Sequence, residues 1–268
     1  MDRVRIKLLG CALAVVALGI GCASALAEAT PNKPSKVPIP SVIFDFNGGF
    51  EPQSLPKTKL APVALLLEGK VRSIDGSHPP PLRELAIELD RNILVDLGGY
   101  PACRQQAFND DPPKPLAELC PTSNIGSGQM WIEIQFPEAA PIELHSQLKI
   151  LNGAKRDGVQ SLYLVGSFAG PVPSEIVATA QIKKIHNGRF VTAVTITFPK
   201  IAGGSGSITS LDLRIKRRLL VDGKRFSPVT ARCPDGKLQA HFSGEFFDYA
   251  TSETTNSSTE ILRTCTGR

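Results

Sequence analysis

Apolar and polar residues alternate along most of the chain after residue 60, a pattern typical of half-buried β-strands. In the segment LRELAIELD, Leu85, Ile87 and Leu89 point to one side, and the acidic residues between them point to the other. The segments ITSLDLRIK, WIEIQF and LQAHFSGEF alternate in the same way, whereas VALLL is apolar on both faces, as in a central strand. No segment keeps an apolar period of 3.6 residues, so the pattern predicts an all-β fold.

Glycine-containing turn signals separate these predicted strands. Asn187-Gly188 lies between EIVATAQIKKI and RFVTAVTITF, and Asp222-Gly223 lies between RRLLV and KRFSPV. Both dipeptides accept the positive φ angles that tight hairpins require. With 23 glycines and 22 prolines among many short strands, the sequence predicts an antiparallel fold that is β-sandwich-like or barrel-like.

Two of the alternating segments resemble each other and predict an internal duplication. The segment LRELAIELDRNILVD spans residues 82–96, and ITSLDLRIKRRLLVD spans residues 208–222, which is 126 positions later. Their apolar positions coincide without gaps, and five positions are identical, including Asp96 and Asp222. We therefore expect two related β halves, residues 41–145 and residues 146–268.

The first residues have the layout of a secretory signal peptide. A basic start, MDRVRIK, precedes the apolar run LLGCALAVVALGIG, and Ala25-Leu26-Ala27 forms an A-x-A cleavage site. Cleavage after Ala27 leaves 241 of the 268 residues, with 27 basic and 24 acidic side chains. We expect residues 1–27 to be the signal helix, and the mature protein to be secreted, with surface association left open.

Two other fates of this segment remain open at the level of sequence. The apolar run is somewhat long for a signal, so an uncleaved anchor is one alternative. Lipidation of Cys22 or Cys11 is another, although neither cysteine has the usual preceding residues. No other stretch has the roughly 18 apolar residues of a membrane span. The proline-rich residues 28–40 are typical of an extended spacer before the fold.

Four cysteines remain after cleavage, which in an exported chain predicts disulfides. Of the three possible pairings, we expect the local one, Cys103–Cys120 in the first half and Cys233–Cys265 in the second. A zinc site needs closely spaced cysteines or histidines, and a redox site needs a CxxC motif; the sequence has neither. We therefore expect neither a metal nor a cofactor.

Five segments of the chain resemble a family of secreted actinobacterial β-rich proteins that has no assigned function. They are LPKTKLAPVALLLEGKV, DGSHPPPLRELAIELDRN, IKKIHNGRF, PKIAGGSGSITSLDLRI and ARCPDGKL. The resemblance spans most of the mature chain. It implies a secreted β-rich protein, and it brings no activity, ligand or catalytic residue with it.

A ligand face is the one candidate site that the sequence offers. His78 lies in DGSHPPP close to Asp75, which would allow the two to bind a metal or to polarise a proton; a simple turn is the alternative. Trp131 and Glu133 lie on one face of WIEIQF, as in proteins that bind sugars, although packing and surface exposure explain them equally.

The sequence does not indicate a catalytic residue. The segment GGSGS, residues 203–207, departs from the GxSxG pattern of serine hydrolases because Ser207 replaces the last glycine. A basic hairpin, formed by residues 214–218 with Lys224 and Arg225, would touch cell-wall polymer or another envelope component, or would only protect a sheet edge. Nucleic acid is not an expected partner.

The chain is accordingly predicted to be a non-enzymatic extracellular or envelope protein with a binding or structural role. The alternative is a secreted hydrolase or carbohydrate-binding protein whose site is assembled from scattered loops.

Overall fold

The computed structural model describes residues 32–33, 35–38, 42–104, 118, 120–168, 174–221, 224–249 and 251–268. The predicted signal segment with Cys11 and Cys22, most of the Cys103–Cys120 loop and the Asp222-Gly223 turn lie outside these residues. Strands account for 67% of the chain and helical segments for 3%, which confirms the all-β class.

The strands follow one another with short connections. They are β1 (Ser35–Pro38), β2 (Val42–Glu51), β3 (Ser54–Leu55), β4 (Ala61–Pro62), β5 (Ala64–Ser73), β6 (Leu82–Asp90), β7 (Ile93–Val95), β8 (Asn124–Ile134), β9 (Ile142–Arg156), β10 (Val159–Phe168), β11 (Ser174–Asn187), β12 (Phe190–Thr197), β13 (Gly206–Ile215), β14 (Leu219–Val221), β15 (Lys224–Phe226), β16 (Val229–Ala231), β17 (Lys237–Asp248), β18 (Glu253–Thr264) and β19 (Thr266–Gly267). Two short 3₁₀ segments, Pro121–Ser123 and Ala202–Gly204, precede β8 and β13.

Twelve strands form one antiparallel sheet in the order β1-β2-β5-β13-β8-β9-β10-β11-β12-β6-β17-β18. The sheet curls until its edges meet, because β18 lies beside β1 and β2. The sandwich-like fold is thus a single sheet that forms a near-barrel. A three-stranded sheet, β4-β16-β7, packs at one end, and the pairs β14-β15 and β19-β3 lie outside the main sheet.

The first described residues join the two edges of the sheet. β1 pairs with β2 from Ser35↔Phe46 to Pro38↔Ile43. Just before β1, the backbone N–H of Asn32 donates to Leu262 O of β18 over 2.9 Å. Part of the predicted spacer is therefore a strand rather than an extended linker, because the open edge of β2 offers backbone partners to it.

The interior is apolar along its whole length, but its two ends are filled differently. Four phenylalanines, Phe44, Phe46, Phe242 and Phe246, pack together at one end, with ring centroids 3.9–5.7 Å apart. Aliphatic side chains line the other end, toward β7 and β16. The alternating residues Leu85, Ile87 and Leu89 all point into this core, as the sequence pattern predicts.

The two predicted halves interleave in the sheet. β6 of the first half lies between β12 and β17, and β13 of the second half lies between β5 and β8. The first six strands are β1-β2-β5-β13-β8-β9, and the last six are β10-β11-β12-β6-β17-β18. In each set, the fourth strand comes from the other part of the chain. The boundary expected between residues 145 and 146 falls inside β9. The turn at Asp157-Gly158 separates the two sets of strands except for the exchanged strands β6 and β13. The duplication itself stays a prediction.

Both disulfides of the local pairing are present. The Cα atoms are 5.4 Å apart in Cys103–Cys120 and 6.0 Å apart in Cys233–Cys265. Cys103–Cys120 packs with Leu151, Tyr163 and Val165 on the outer face of β9 and β10, so this part of the sheet is covered on both faces. Cys233–Cys265 joins the segment after β16 to the end of β18.

Candidate functional site

The structure brings two of the four predicted ligand-face residues into contact. His78 lies in the β5–β6 connection, and its Nδ1 is 2.7 Å from Oε1 of Glu133, near the end of β8. On its other side, His78 Nε2 is 3.0 Å from Oγ of Ser207, at the start of β13. Serine, histidine and carboxylate are therefore in the order that a serine hydrolase uses.

The hydrogen bonds of Ser207 favour a structural role over that of a nucleophile with its base. Ser207 is fully buried, and its hydroxyl donates its one hydrogen to Pro79 O over 2.5 Å. With its hydrogen directed to Pro79 O, Ser207 has none left to give to His78 Nε2, as a nucleophile would have to do.

We call His78, Pro79, Glu133 and Ser207 the His78 clasp. It ties the β5–β6 connection to the ends of β8 and β13 at the end of the near-barrel that the phenylalanines fill. Ser207 is the member that the sequence pattern did not indicate, because the GxSxG pattern directs attention to Ser205. The geometry of the clasp supports a structural role.

Asp75 does not join this cluster. Its Oδ1 accepts hydrogen bonds from Ser77 Oγ over 2.6 Å and from Ser77 N over 3.0 Å, which forms an Asx turn. The side-chain hydrogen bond from Ser77, followed by the backbone one, lowers the pKa of the exposed Asp75 carboxyl. The interpretation of DGSHPP as a turn therefore accounts for Asp75.

Trp131 lies on the outer face of the sheet, beside a cleft of about 690 Å³. Its ring stacks on His145 of β9, with centroids 4.6 Å apart and planes 26° apart. The cleft is also lined by charged and hydroxyl-bearing residues: Lys70, Arg72, Ser73, Ser77, Glu133, Glu143, Thr209 and Ser210. One aromatic ring among such side chains has the composition of a sugar-binding surface.

A second and quite different cavity lies inside the near-barrel, at its aliphatic end. It has a volume of about 130 Å³, and eleven of the twelve strands of the main sheet contribute to its wall. Aliphatic residues dominate the lining, among them Leu67, Ile87, Leu164, Ala180 and Leu213. The matched residues of the predicted duplication, such as Ile87 and Leu213, thus face each other across one shared space.

The wall of this cavity includes the place where β2 passes β18. We call this place the seam: residues 47–51 of β2 beside residues 261–264 of β18. Among the described residues, β1 pairs only with residues 43–46 of β2, so no backbone ladder covers the seam. A Cβ on Gly48 would lie 3.6 Å from Phe242 and 3.9 Å from Ile261, which places Gly48 on the inner face.

Arg263 lies at the seam. Its side chain borders both the cavity and an outer pocket of about 270 Å³. Its guanidinium donates to three neutral oxygens: Lys33 O, Leu262 O and Asn47 Oδ1. No carboxylate pairs with it among the described residues. Burial lowers the pKa of this guanidinium.

The sequence did contain a signal for the seam. FNGGFE interrupts an alternating strand with two glycines, and glycine inside a strand commonly marks a close approach or a gap in the wall. Arg263 carried no comparable signal, because its partners Asn47 and Lys33 are more than 200 positions away in the sequence.

Two of the basic residues proposed to touch a polymer have partners within the protein. Arg214 pairs with Glu51 of β2, and Arg217 donates to the backbone oxygens of Thr122 and Asn124. These contacts favour a structural role for the basic segment.

Within the described part of the chain, no three His, Cys, Asp or Glu side chains are grouped to hold a metal ion. No helix in the same part has the length and apolar character needed to cross a membrane. No protein-family model, curated protein or solved structure matches the chain.

Proposed function

We propose that the mature chain is a secreted, non-enzymatic binding protein that takes the apolar part of its ligand into the interior cavity. The observation that carries the proposal is this cavity of about 130 Å³ with its aliphatic lining. If empty, such a cavity costs about 3 kcal/mol, at roughly 24 cal/mol per Å³. An apolar cavity of about 150 Å³ can take up a molecule such as benzene, and a bound apolar group would offset the cost.

Secretion and an extracellular place of action belong to the proposal. The Ala25-Leu26-Ala27 cleavage pattern supports export. Two disulfides that staple connections outside the main sheet are compatible with an oxidising compartment. An exported protein with an enclosed apolar interior is suited to carrying a poorly soluble molecule through water.

Filling the cavity tests the proposal. Ala180 of β11 borders the cavity, whereas Ala178, two positions away on the same inner face, is buried without bordering it. We expect Ala180→Leu to abolish binding of a neutral apolar probe, hexanol, measured by calorimetry with the mature protein. Ala178→Leu is the matched control, and it should retain binding while losing about 1–3 kcal/mol of stability through overpacking.

The results of this experiment either contradict or support the cavity as a binding site. If hexanol does not bind the wild-type protein, or if Ala180→Leu binds it as well as wild type does, the cavity is only a packing defect. Gain of stability in Ala180→Leu together with loss of hexanol binding would support the cavity as the binding site.

A carbohydrate-binding role for the outer cleft is the second candidate, and Trp131 favours it. Trp131 is the single tryptophan of the chain, so its fluorescence reports on this cleft alone. Titration with soluble cell-wall oligosaccharides should change the emission if a sugar packs against the ring. An unchanged spectrum at saturating sugar would exclude this role for the cleft.

A further inference from the structure

We infer that the ligand of the interior cavity is an amphipathic anion, an acyl chain with a carboxylate head, and that Arg263 at the seam holds the head group. The inference rests on the proposed function and names the class of ligand. It is argued from the position of Arg263, from its partners and from the composition of the cavity.

The position of Arg263 connects the interior to the surface. The cavity and the outer pocket share Gly48, Gly49, Phe50, Leu66 and Arg263 as lining residues. Because neither glycine has a side chain to fill the wall here, the shared part of the lining is thin. A molecule with its tail in the cavity can thus place its head group beside Arg263.

The charge of Arg263 is incompletely compensated by the protein. Its three recorded acceptors are neutral oxygens, and a partly buried cation without an anion is costly. Two carboxylates lie nearby, and both have other partners: Glu51 pairs with Arg214, and Glu68 accepts from Asn47 Nδ2 over 3.2 Å. The planar guanidinium of Arg263 could donate two parallel hydrogen bonds to the two oxygens of an incoming carboxylate.

The other side chains that line the cavity determine which tail the ligand can have. Apart from Arg263, the side chains that line it are aliphatic or aromatic with the exception of Gln239. Each methylene group that leaves water for such a lining strengthens binding about fourfold. A cavity of about 130 Å³ accommodates a short chain of about six carbons rather than a long acyl chain or a whole phospholipid.

A comparison of acid and alcohol of equal chain length tests the inference. We expect the mature protein to bind hexanoate about ten- to hundredfold more tightly than hexanol, because charge-assisted hydrogen bonds form only with the acid. Arg263→Gln should remove this preference and leave hexanol binding unchanged. Arg83→Gln is the control, since Arg83 lies on the surface beside Glu245 and borders neither cavity nor seam.

A second measurement covers the case in which Arg263→Gln does not fold. In the wild-type protein, added salt should weaken hexanoate binding and leave hexanol binding unaffected, because only the acid is held by charge. Equal affinities for acid and alcohol, without salt dependence, would overturn the inference and leave the proposed function standing. If neither molecule binds, it is the proposed function that fails.

Discussion

Arg189 donates a hydrogen bond of 2.5 Å from its Nε to Oδ2 of Asp90, a carboxylate with no exposed surface. Asp90 Oδ1 accepts from the backbone and side chain of Asn92, and Arg189 also pairs with Asp235. Burial disfavours the charged guanidinium, but the hydrogen bonds and charges of the two aspartates outweigh it and raise the pKa of Arg189. This pair fixes the turn between β11 and β12 against the end of β6.

Breaking this pair should be among the most damaging polar substitutions in the protein. We expect Asp90→Ala to lower the free energy of unfolding by about 3–5 kcal/mol, because it leaves a half-buried arginine and several donors without their acceptor. Glu245→Ala removes the surface pair with Arg83, where the charged atoms are 3.9 Å apart, and should cost at most about 1 kcal/mol. Urea unfolding of both variants measures the difference, and equal losses would contradict the assignment.

The His78 clasp predicts a structural and not a catalytic effect of Ser207. Ser207→Ala leaves Pro79 O and His78 Nε2 without a partner, so we expect a loss of about 1–3 kcal/mol. Ser205→Ala is the matched control, with an expected change of about 0.5 kcal/mol or less. A fluorophosphonate probe should not label Ser207 in the wild-type protein; labelling at this residue would establish a nucleophile there.

Tyr100 predicts a loss of stability at alkaline pH. Its hydroxyl donates toward Arg217 O over 2.7 Å and Phe226 O over 3.2 Å, and burial raises its pKa to about 12, despite the opposing charge of Arg217. The neutral ring is thus favoured in the folded state. Its contribution is fully present below the unfolded pKa of about 10 and is lost as pH rises from there toward about 12.

Tyr100→Phe separates this effect from general alkaline unfolding. The variant should be less stable than wild type at neutral pH, since two buried carbonyl oxygens lose a donor. The difference between the two proteins should shrink above about pH 10. Urea unfolding at several pH values measures it, and a constant difference up to about pH 11 would contradict the prediction.

The two disulfides should contribute different amounts to the free energy of unfolding, because they close loops of different length. They join positions 17 and 32 residues apart, which corresponds to about 3 and about 4 kcal/mol in the chain-entropy account. The double serine variants, Cys103→Ser with Cys120→Ser and Cys233→Ser with Cys265→Ser, should lose these amounts in urea unfolding. Recovery of Cys103 linked to Cys233 in unreduced peptide maps would refute the pairing.

Export with cleavage remains a prediction from the sequence. Intact-mass analysis of the culture supernatant should find a chain that begins near Glu28. Such a chain retains Asn32, whose backbone and side chain bond to β18. Recovery of the protein only from membranes, with residues 1–27 attached, would contradict cleavage.

Local alternation was enough to predict the strands and much of the core. Leu85 and Ile87 are buried because a strand buries every second residue, and the Asn187-Gly188 turn joins β11 to β12 as its dipeptide predicts. The disulfide pairing could also be predicted, since the four cysteines that follow the predicted signal allow only three pairings. These features depend on residues that are close in sequence.

The strand order and the His78 clasp could not be predicted, because both depend on pairing between strands that are distant in sequence. Nothing in the residues of β6 indicates that it inserts between β12 and β17, because an alternating strand can pair with any neighbour that buries the same face. Ser207 and His78 are 129 positions apart, and their contact follows only from that strand order. The prediction of His78 with Glu133 on a ligand face located two members of a cluster but not the reason for their proximity.

The junction between β1 and β18 also determines how the protein can fold. Asn32 and Thr264 are bonded across 232 positions of sequence, so the ring of strands closes only when nearly the whole chain is present. Interleaved strands add further contacts between distant residues, and folding rates fall as the mean sequence separation of contacts rises. Folding should therefore be slow, and a fragment that lacks either Asn32 or Thr264 loses the hydrogen bond across this junction.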